Sequence, residues 1–312
     1  MKIVRDIAGL KDIPVSFTLG SYDGLHTGHV LLLNELKKVS EQSGTASLVI
    51  SFYPHPRKIV DENFDLKLLN TKDEKIGIIS SLGIDLIHFI NFTKEFSETG
   101  YIEFYTNYIF AYLDVKNIVA GTNHHFGENR EGDNTGLSAL CGRNSVNLFS
   151  VPPIEYEGRT VSSTRIRRSL ADGDVENASK MLGYDYFISG NIVRGKGLGS
   201  VIGFPTANLN IEGLEKVIPA SGVYLTLVKI RDEEHYAVTN IGNNPTVGGI
   251  GTNIESHLLD INSDIYGETV RISFLKRMRN EIKFSSEREL SEALKKDVAL
   301  AEKIIRSGGD GK

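Results

Sequence analysis

The chain has 312 residues, 40% of them apolar and 24% charged, with 35 basic against 40 acidic side chains and a net charge of −5. That length suits two domains. The composition excludes a collagen-like or broadly disordered chain, and the mild acidity argues against a nucleic-acid coat. A lone cysteine, Cys141, excludes an intramolecular disulfide framework and a Cys-rich zinc site, and it suits a reducing compartment.

Residues 1–14 lack the apolar core of a signal peptide. No stretch approaches the roughly 20 apolar residues that span a bilayer. The expectation is a soluble, cytoplasmic protein with no nucleic-acid or membrane partner. The 31 glycines, about one residue in ten, exceed the usual 7% or so. Many stand beside charged or hydroxyl residues, so backbone-lined sites are expected there.

The first half alternates strand and helix patterns. Residues 14–19 place Val15, Phe17 and Leu19 on one face of a strand. Residues 28–42 carry Val30, Leu33, Leu36 and Val39 near the 3.6 period of a helix. Strand 47–53 is stopped by Pro54. A helix over 72–82, an apolar run over 84–92, an aromatic-rich helix over 98–113 and a strand over 117–120 follow. This order predicts βαβ units and a parallel sheet covered on both faces. Residues 169–182 read as two short helices split by Asp172-Gly173-Asp174, with a boundary near Gly183, giving domains 1–183 and 184–312.

Beyond Gly183 the strands follow one another without helices, at 187–193, 222–230, 235–241, 255–261 and 269–274. Turn signals join them at Asp232-Glu233-Glu234 and Tyr266-Gly267-Glu268. The pattern predicts an antiparallel barrel or sandwich. A last helix opens on Ser286-Glu287-Arg288-Glu289, a capping box in which Ser286 accepts from a first-turn amide and Glu289 reaches back. Leu290, Leu294, Asp297, Ala301 and Ile304 share its inner face.

Two segments of the first half point to phosphate chemistry. Gly20-Ser-Tyr-Asp23-Gly-Leu-His26-Thr-Gly28-His29 joins a strand to a helix. Glycines admit a ligand to the backbone, and a helix N-terminus presents free N–H groups to phosphate. Two histidines three apart can donate to phosphoryl oxygens as charge builds. Ser163-Thr164-Arg165-Ile166-Arg167 sets hydroxyls and arginines at a helix start, which suits polyphosphate.

These segments resemble the nucleotidylyltransferase superfamily marked by His-x-Gly-His. The resemblance implies catalysis by His26 and His29, phosphate binding at Gly20, Asp23 and Gly28, and a hold on the β- and γ-phosphates by Ser163, Thr164, Arg165 and Arg167. Phe52-Tyr-Pro54-His55-Pro56-Arg57 and Gly121-Thr-Asn123-His-His-Phe126-Gly127 are similar to the N-terminal module of prokaryotic bifunctional riboflavin kinase/FAD synthetases. They imply His55 near the phosphates and Asn123 near the nucleotide. The chain departs from that pattern at His124, where an aromatic residue is usual, and at Tyr22, where Phe is frequent.

In the second half, Arg194-Gly195-Lys196-Gly197-Leu-Gly199-Ser-Val-Ile-Gly203-Phe-Pro205-Thr206-Ala-Asn208 is dense in glycine. Without a following helix it is no dinucleotide fingerprint, but its amides can ring an anion. Thr206 and Asn208, two apart, offer hard neutral oxygens to Mg²⁺. The segment resembles the flavokinase signature Gly-x-Pro-Thr-Ala-Asn, with Ser200 where many bacterial members carry Arg. That likeness implies ATP binding by Gly195, Lys196, Gly197, Gly199, Gly203 and Pro205, and Mg²⁺ at Thr206 and Asn208. Asn240-Ile-Gly242-Asn-Asn-Pro245-Thr246 and Ile254-Glu255-Ser-His257-Leu-Leu-Asp260 match further family blocks, which implies that Glu255 is the catalytic base. Arg279-Asn-Glu281-Ile-Lys283-Phe284 matches the last block and implies Arg279 near the flavin or its phosphate, the alternative being a surface basic cluster.

The resemblance spans nearly the whole chain. It implies a Rossmann-like nucleotidylyltransferase domain with a parallel sheet, then an antiparallel Greek-key β-barrel flavokinase domain with a terminal helix. The implied enzyme phosphorylates riboflavin to FMN and adenylylates FMN to FAD, using two ATP and Mg²⁺. The rivals are one working domain alone, a flavin-binding regulator on a degenerate scaffold, and a transferase with another acceptor such as nicotinamide mononucleotide.

Overall fold

The computed structural model describes residues 1–61, 65–122, 134–195, 203–246, 249–261 and 265–308. Two compact units are present, Met1–Ser163 and Thr164–Lys312.

The first unit runs β1 (Lys2–Val4), β2 (Pro14–Leu19), α1 (Thr27–Ser43), β3 (Ala46–Tyr53), α2 (Pro56–Val60), α3 (Lys72–Ser81), β4 (Leu86–Asn91), α4 (Lys94–Ser97), α5 (Tyr101–Glu103), β5 (Asp114–Gly121), α6 (Asn134–Arg143) and β6 (Asn147–Val151). A hairpin of β7 (Glu155–Tyr156) and β8 (Arg159–Thr160) follows. The six strands pair in parallel in the order β1-β4-β3-β2-β5-β6. Both faces are covered, as expected of a parallel sheet. On one face Leu33, Leu36 and Val39 of α1 and Ile79 of α3 meet Val49, Ile87 and Val119. On the other, Phe104, Tyr105 and Ile109 meet Phe17, Ile50 and Ile118. Full burial of each such side chain contributes roughly 1.5–3 kcal/mol. The aromatic segment read as one helix is broken instead: α4 ends at Ser97, and α5 runs on as a π-helix over Phe104–Phe110. Helix α3 starts on a capping box, with Thr71 accepting from the Glu74 amide and Glu74 accepting from the Thr71 amide.

The second unit opens with α7 (Ser163–Ala171, starting at the division) and α8 (Val175–Leu182). Gly173, at φ +77°, turns the chain between them, and Asp174 caps α8 through the Asn177 amide at 3.1 Å. Leu170 accepts from the Ala220 amide, and Arg277 donates to the Asp172 carbonyl, so these helices pack with the barrel. The compact units therefore divide ahead of Gly183.

Strands β9 (Phe187–Val193), β10 (Ala207–Leu209), β11 (Gly222–Ile230), β12 (Glu233–Thr246), β13 (Gly249–Leu258) and β14 (Thr269–Arg279) close a barrel in the order β10-β13-β12-β11-β14-β9. Every pair is antiparallel. The open choice between barrel and sandwich is thus settled as a barrel. Several strands are longer than their patterns indicated. Glu233 and Glu234 belong to β12, opposite Ile230 and Lys229, so the tight turn is Arg231-Asp232, with Arg231 at φ +54°. The interior alternates with the exterior: Ile254 and Ser256 are buried inside, whereas Asn253, Glu255 and His257 share the outer face.

Helix α9 (Glu287–Gly308) lays Val298, Ala301, Ile304 and Ile305 on Val223, Leu225 and Val238. Its start departs from the expected capping box in one respect. Ser286 Oγ accepts from the Glu289 amide at 3.3 Å, but the Glu289 carboxylate accepts from the amide and hydroxyl of Ser285, one residue earlier.

Candidate active sites

In the first unit a cavity of about 850 Å³ opens at the carboxyl ends of the strands. Its lining draws Leu19 and Gly20 from the end of β2, Phe52 from β3, Gly121 from β5 and Val151 from β6. The strand order reverses at β2, whose neighbours are β3 and β5. Such a switch point is where open parallel sheets bind ligands.

The glycine-rich turn is held there by side chains behind it. Tyr22 (φ +46°) turns inward and shares a 2.7 Å hydrogen bond with Thr18. A side chain at Gly20 would lie 2.9 Å from the Tyr22 ring, so glycine is needed at that point. Asp23 is 2% exposed, and its Oδ1 accepts from the Leu69 and Asn70 amides at 2.9 and 3.3 Å. The Ser163 hydroxyl donates to the Asp23 carbonyl at 2.7 Å. Lys75, buried, donates to the Ser21 carbonyl at 2.5 Å. Burial lowers the Lys75 ammonium to about 8, and the charge of Asp23 opposes that shift.

His26 caps α1, its Nδ1 accepting the His29 amide at 3.4 Å. The His26 and His29 rings stack at 3.7 Å between centroids, and His29 sets an edge against Tyr22 at 5.3 Å. Burial pushes His26 down to about 4 and His29 well below the ordinary imidazole value, and the neighbouring His26 and Lys75 charges lower His29 further. At neutral pH both rings are therefore neutral. Because His26 Nδ1 accepts, its proton sits on Nε2. His29 Nδ1 is buried without a protein partner among the described residues.

The opposite part of the cavity is apolar and aromatic, with Phe52, Phe92, Phe96 and Phe104 in the lining. Phe52 stands in a quoted motif without an assigned role, and the other three, which come from separate loops and helices, carry no local sequence signal. His55 caps α2 by accepting the Arg57 amide at 3.2 Å. It is not in the lining, whereas Pro56 and Val60 of the same helix are. Thr164, Arg165 and Arg167 lie on α7. Asn123 and His124 lie outside the described residues.

In the second unit the flavokinase-like residues gather on the outer face of the barrel. Glu255 pairs with Asn208 across β10–β13 and with Asn240 across β12–β13. A side chain at Gly195 would lie 2.2 Å from Asn208 Nδ2, so Gly195 admits the Asn208 amide. His257 Nδ1 hydrogen-bonds the Pro205 carbonyl at 2.9 Å, which fixes the approach to Thr206. Asn253 Nδ2 donates to Glu255 Oε1 at 2.6 Å. Asn253 has no role assigned from sequence, although the two-residue spacing of Asn253 and Glu255 on a strand carries the signal. Gly203 has φ +85°, a backbone that favours glycine. Lys196, Gly197, Gly199 and Ser200 lie outside the described residues. Arg279 forms a forked pair with Asp297, Nε to Oδ1 at 2.8 Å and Nη2 to Oδ2 at 2.7 Å.

Comparison with known proteins adds the following. Residues 11–165 match the family model for FAD synthetase and residues 182–305 that for riboflavin kinase. A Listeria monocytogenes protein named bifunctional riboflavin kinase/FMN adenylyltransferase is 33% identical over 289 residues, covering 92% of this chain and 91% of its own. An Escherichia coli K12 protein of the same name is 32% identical over 309 residues, 98% of each chain. A solved Streptococcus pneumoniae structure, named a macrolide-efflux protein, superposes with a TM-score of 0.88 at 29% identity, covering 96% of this chain and 98% of its own.

Proposed function

The chain belongs to the family of bifunctional riboflavin kinases/FMN adenylyltransferases, and from that premise we infer that it converts riboflavin to FMN and FMN to FAD. The observation that carries the reading is the presence, in one chain, of a stacked His26–His29 pair at a switch-point cavity and of Glu255 set between two asparagines on a barrel. We assign adenylyl transfer to residues 1–183 and phosphorylation to residues 184–312. The family models leave residues 166–181 to neither domain.

In the kinase reaction, Glu255 accepts the proton of the terminal ribityl hydroxyl as that oxygen attacks the γ-phosphorus of ATP. The γ-phosphoryl group moves to the flavin and ADP leaves. Base assistance of this kind contributes roughly 10²–10⁴-fold. Positioning and electrostatics supply the rest. Among the described residues no three His, Cys, Asp or Glu side chains converge as metal ligands. The Thr206 hydroxyl and the Asn208 carbonyl are hard oxygens, and Asn208 is held opposite Glu255, so they fit Mg²⁺ shared with ATP phosphates. The ion would neutralise polyphosphate charge. Gly195, Gly203 and Pro205 frame that nucleotide, together with Lys196, Gly197 and Gly199.

In the adenylyl transfer, an FMN phosphate oxygen attacks the ATP α-phosphorus and pyrophosphate leaves. Neutral His26 donates from Nε2, and His29 beside it, to phosphoryl oxygens as charge moves onto the leaving group. Gly20, Asp23 and Gly28 shape the turn that receives the phosphates. Ser163, Thr164, Arg165 and Arg167 take the β- and γ-phosphates, with His55 nearby and Asn123 at the nucleotide. The aromatic wall suits the flat isoalloxazine ring. Neither step needs a covalent intermediate, and flavin is substrate and product throughout.

The pneumococcal structure carries an efflux name. Among the described residues no helix is long and apolar enough to cross a membrane. The two family models and the two sites favour the flavin reading. Small-molecule substrates of this kind support a cytoplasmic enzyme. A product time course with riboflavin, ATP and Mg²⁺ tests the proposal: FMN rises first and FAD follows. FMN accumulating without FAD restricts the activity to the barrel, and no turnover of either flavin refutes the reading.

A further inference from the structure

We propose that Asn253 positions Glu255, holding one carboxylate oxygen so that the other faces the substrate hydroxyl. The proposal rests on the reading of Glu255 as the base of the kinase reaction.

The two residues are neighbours on one face of β13, and the strand is clamped from both sides. Asn253 stands opposite Gly242 and Glu255 opposite Asn240 on β12, while Asn208 of β10 pairs with Glu255 from the other edge. Backbone drift is therefore small at both positions. The side-chain bond is short, Nδ2 to Oε1 at 2.6 Å. Its polarity is forced. A carboxylate only accepts, so the amide must present its NH₂ edge to Glu255. Turning the amide over would set two acceptors against each other.

That orientation points Asn253 Oδ1 away from Glu255, toward the space above Gly242. There it is buried and has no hydrogen-bond partner among the described residues. The space is already crowded: a side-chain carbon on residue 242 would lie 2.7 Å from Glu281 Oε1, 3.0 Å from Asn240 Nδ2 and 3.0 Å from Asn253 Oδ1. A side chain kept only for packing would not leave a buried carbonyl unmatched beside a carboxylate. The orphaned acceptor is what the Asn253–Glu255 bond entails. The bond also removes freedom from Glu255. A glutamate on a strand has three rotatable bonds, and fixing Oε1 leaves Oε2 as the one basic oxygen in a single direction. General-base catalysis requires hydrogen-bond reach to the proton it takes, so the cost of losing Asn253 falls on the chemical step.

The test uses the full chain and two assays on each preparation, riboflavin with ATP and FMN with ATP. Asn253→Leu keeps the volume and removes the donor. The expected result is a fall in kcat for FMN formation of roughly 10–100-fold, as for other outer partners of functional groups, with KM for riboflavin and ATP unchanged. FAD formation from FMN stays at the starting rate, and an unchanged KM for riboflavin and ATP together with an unchanged circular-dichroism spectrum reports a folded barrel. Asn253→Thr, which restores a donor on the same strand face, recovers part of the kcat. Glu255→Gln run in parallel separates the two ideas. If Glu255→Gln keeps kinase turnover, the reading of Glu255 as base fails. If Glu255→Gln loses turnover while Asn253→Leu and Asn253→Thr both keep the starting kcat, or raise KM alone, the positioning role is overturned. In the double variant Asn253→Leu adds no further loss to Glu255→Gln, and fully additive losses also overturn the role.

Discussion

Asn208 and Glu255 stand directly opposite each other across the ladder of β10 and β13, and the Asn208 amide lies over Gly195, whose missing side chain would sit 2.2 Å from Asn208 Nδ2. Glycine at 195 is thus a condition for Asn208 to face Glu255. Gly195→Ala must push the amide aside, and displacement on the ångström scale costs on the order of 10²-fold in rate. Riboflavin phosphorylation is expected to fall by that order, with FAD formation from FMN unaffected. Steady-state rates with each flavin check this, and an undiminished kinase rate refutes it.

The two sites predict separable losses. Glu255→Ala removes the base on the barrel, so FMN formation falls roughly 10²–10⁴-fold and adenylation of supplied FMN continues. His29→Ala does the reverse, because His29 stacks on His26 in the cavity of the first unit. Assays begun from riboflavin and from FMN distinguish them. A folded single variant that loses both activities contradicts the two-site assignment.

The local parts of this molecule were legible in the sequence, and the composite parts were not. Gly20 to His29 declared itself because strand, turn and helix cap are consecutive. Thr206 and Asn208 stood out in the same way, as a tight motif that runs into β10, and Glu255 through the family block around it. The aromatic wall was not, because Phe52, Phe92, Phe96 and Phe104 meet only after parallel strands bring distant loops together. Lys75 reads as an ordinary helical lysine until α3 packs behind the turn and its ammonium reaches the Ser21 carbonyl. The Ser286 cap was read one residue away from the contact Glu289 makes, since Ser285 and Ser286 offer equivalent chemistry.

Acid should weaken the first unit through its histidines. His26 is 7% exposed, and burial lowers it from 6.5 to about 4. Above about pH 6.5 the ring is neutral in folded and unfolded chains alike, and its contribution is complete. Between about 6.5 and 4 the unfolded chain takes up a proton that the folded chain refuses, so stability falls as pH falls. The loss by about pH 4 is on the order of 3 kcal/mol. His29, lowered by burial as well, acts in the same direction. His26→Asn retains an acceptor for the His29 amide and removes one titrating ring. Denaturant unfolding across this range should show a shallower pH slope for the variant, and parallel slopes would disprove the linkage.

Arg279 is the clearest case in which the structure adds a role to one expected from sequence. The expectation is an approach to the flavin or its phosphate, or a surface basic cluster. The guanidinium is forked onto Asp297, a residue of α9 that is 4% exposed. The aspartate sits on the helix face whose other members, Val298, Ala301 and Ile305, are packed against the barrel. Arg279→Ala strands the buried Asp297 charge and should destabilise the second unit by about 3–5 kcal/mol. Asp297→Ala leaves an arginine that still reaches solvent and should cost less, and the double variant should cost little more than Arg279→Ala alone, because the two changes remove one interaction. Chemical denaturation of the three variants measures this. If Arg279→Ala raised KM for riboflavin and left stability untouched, the arginine would serve the flavin alone and the fork to Asp297 would be incidental.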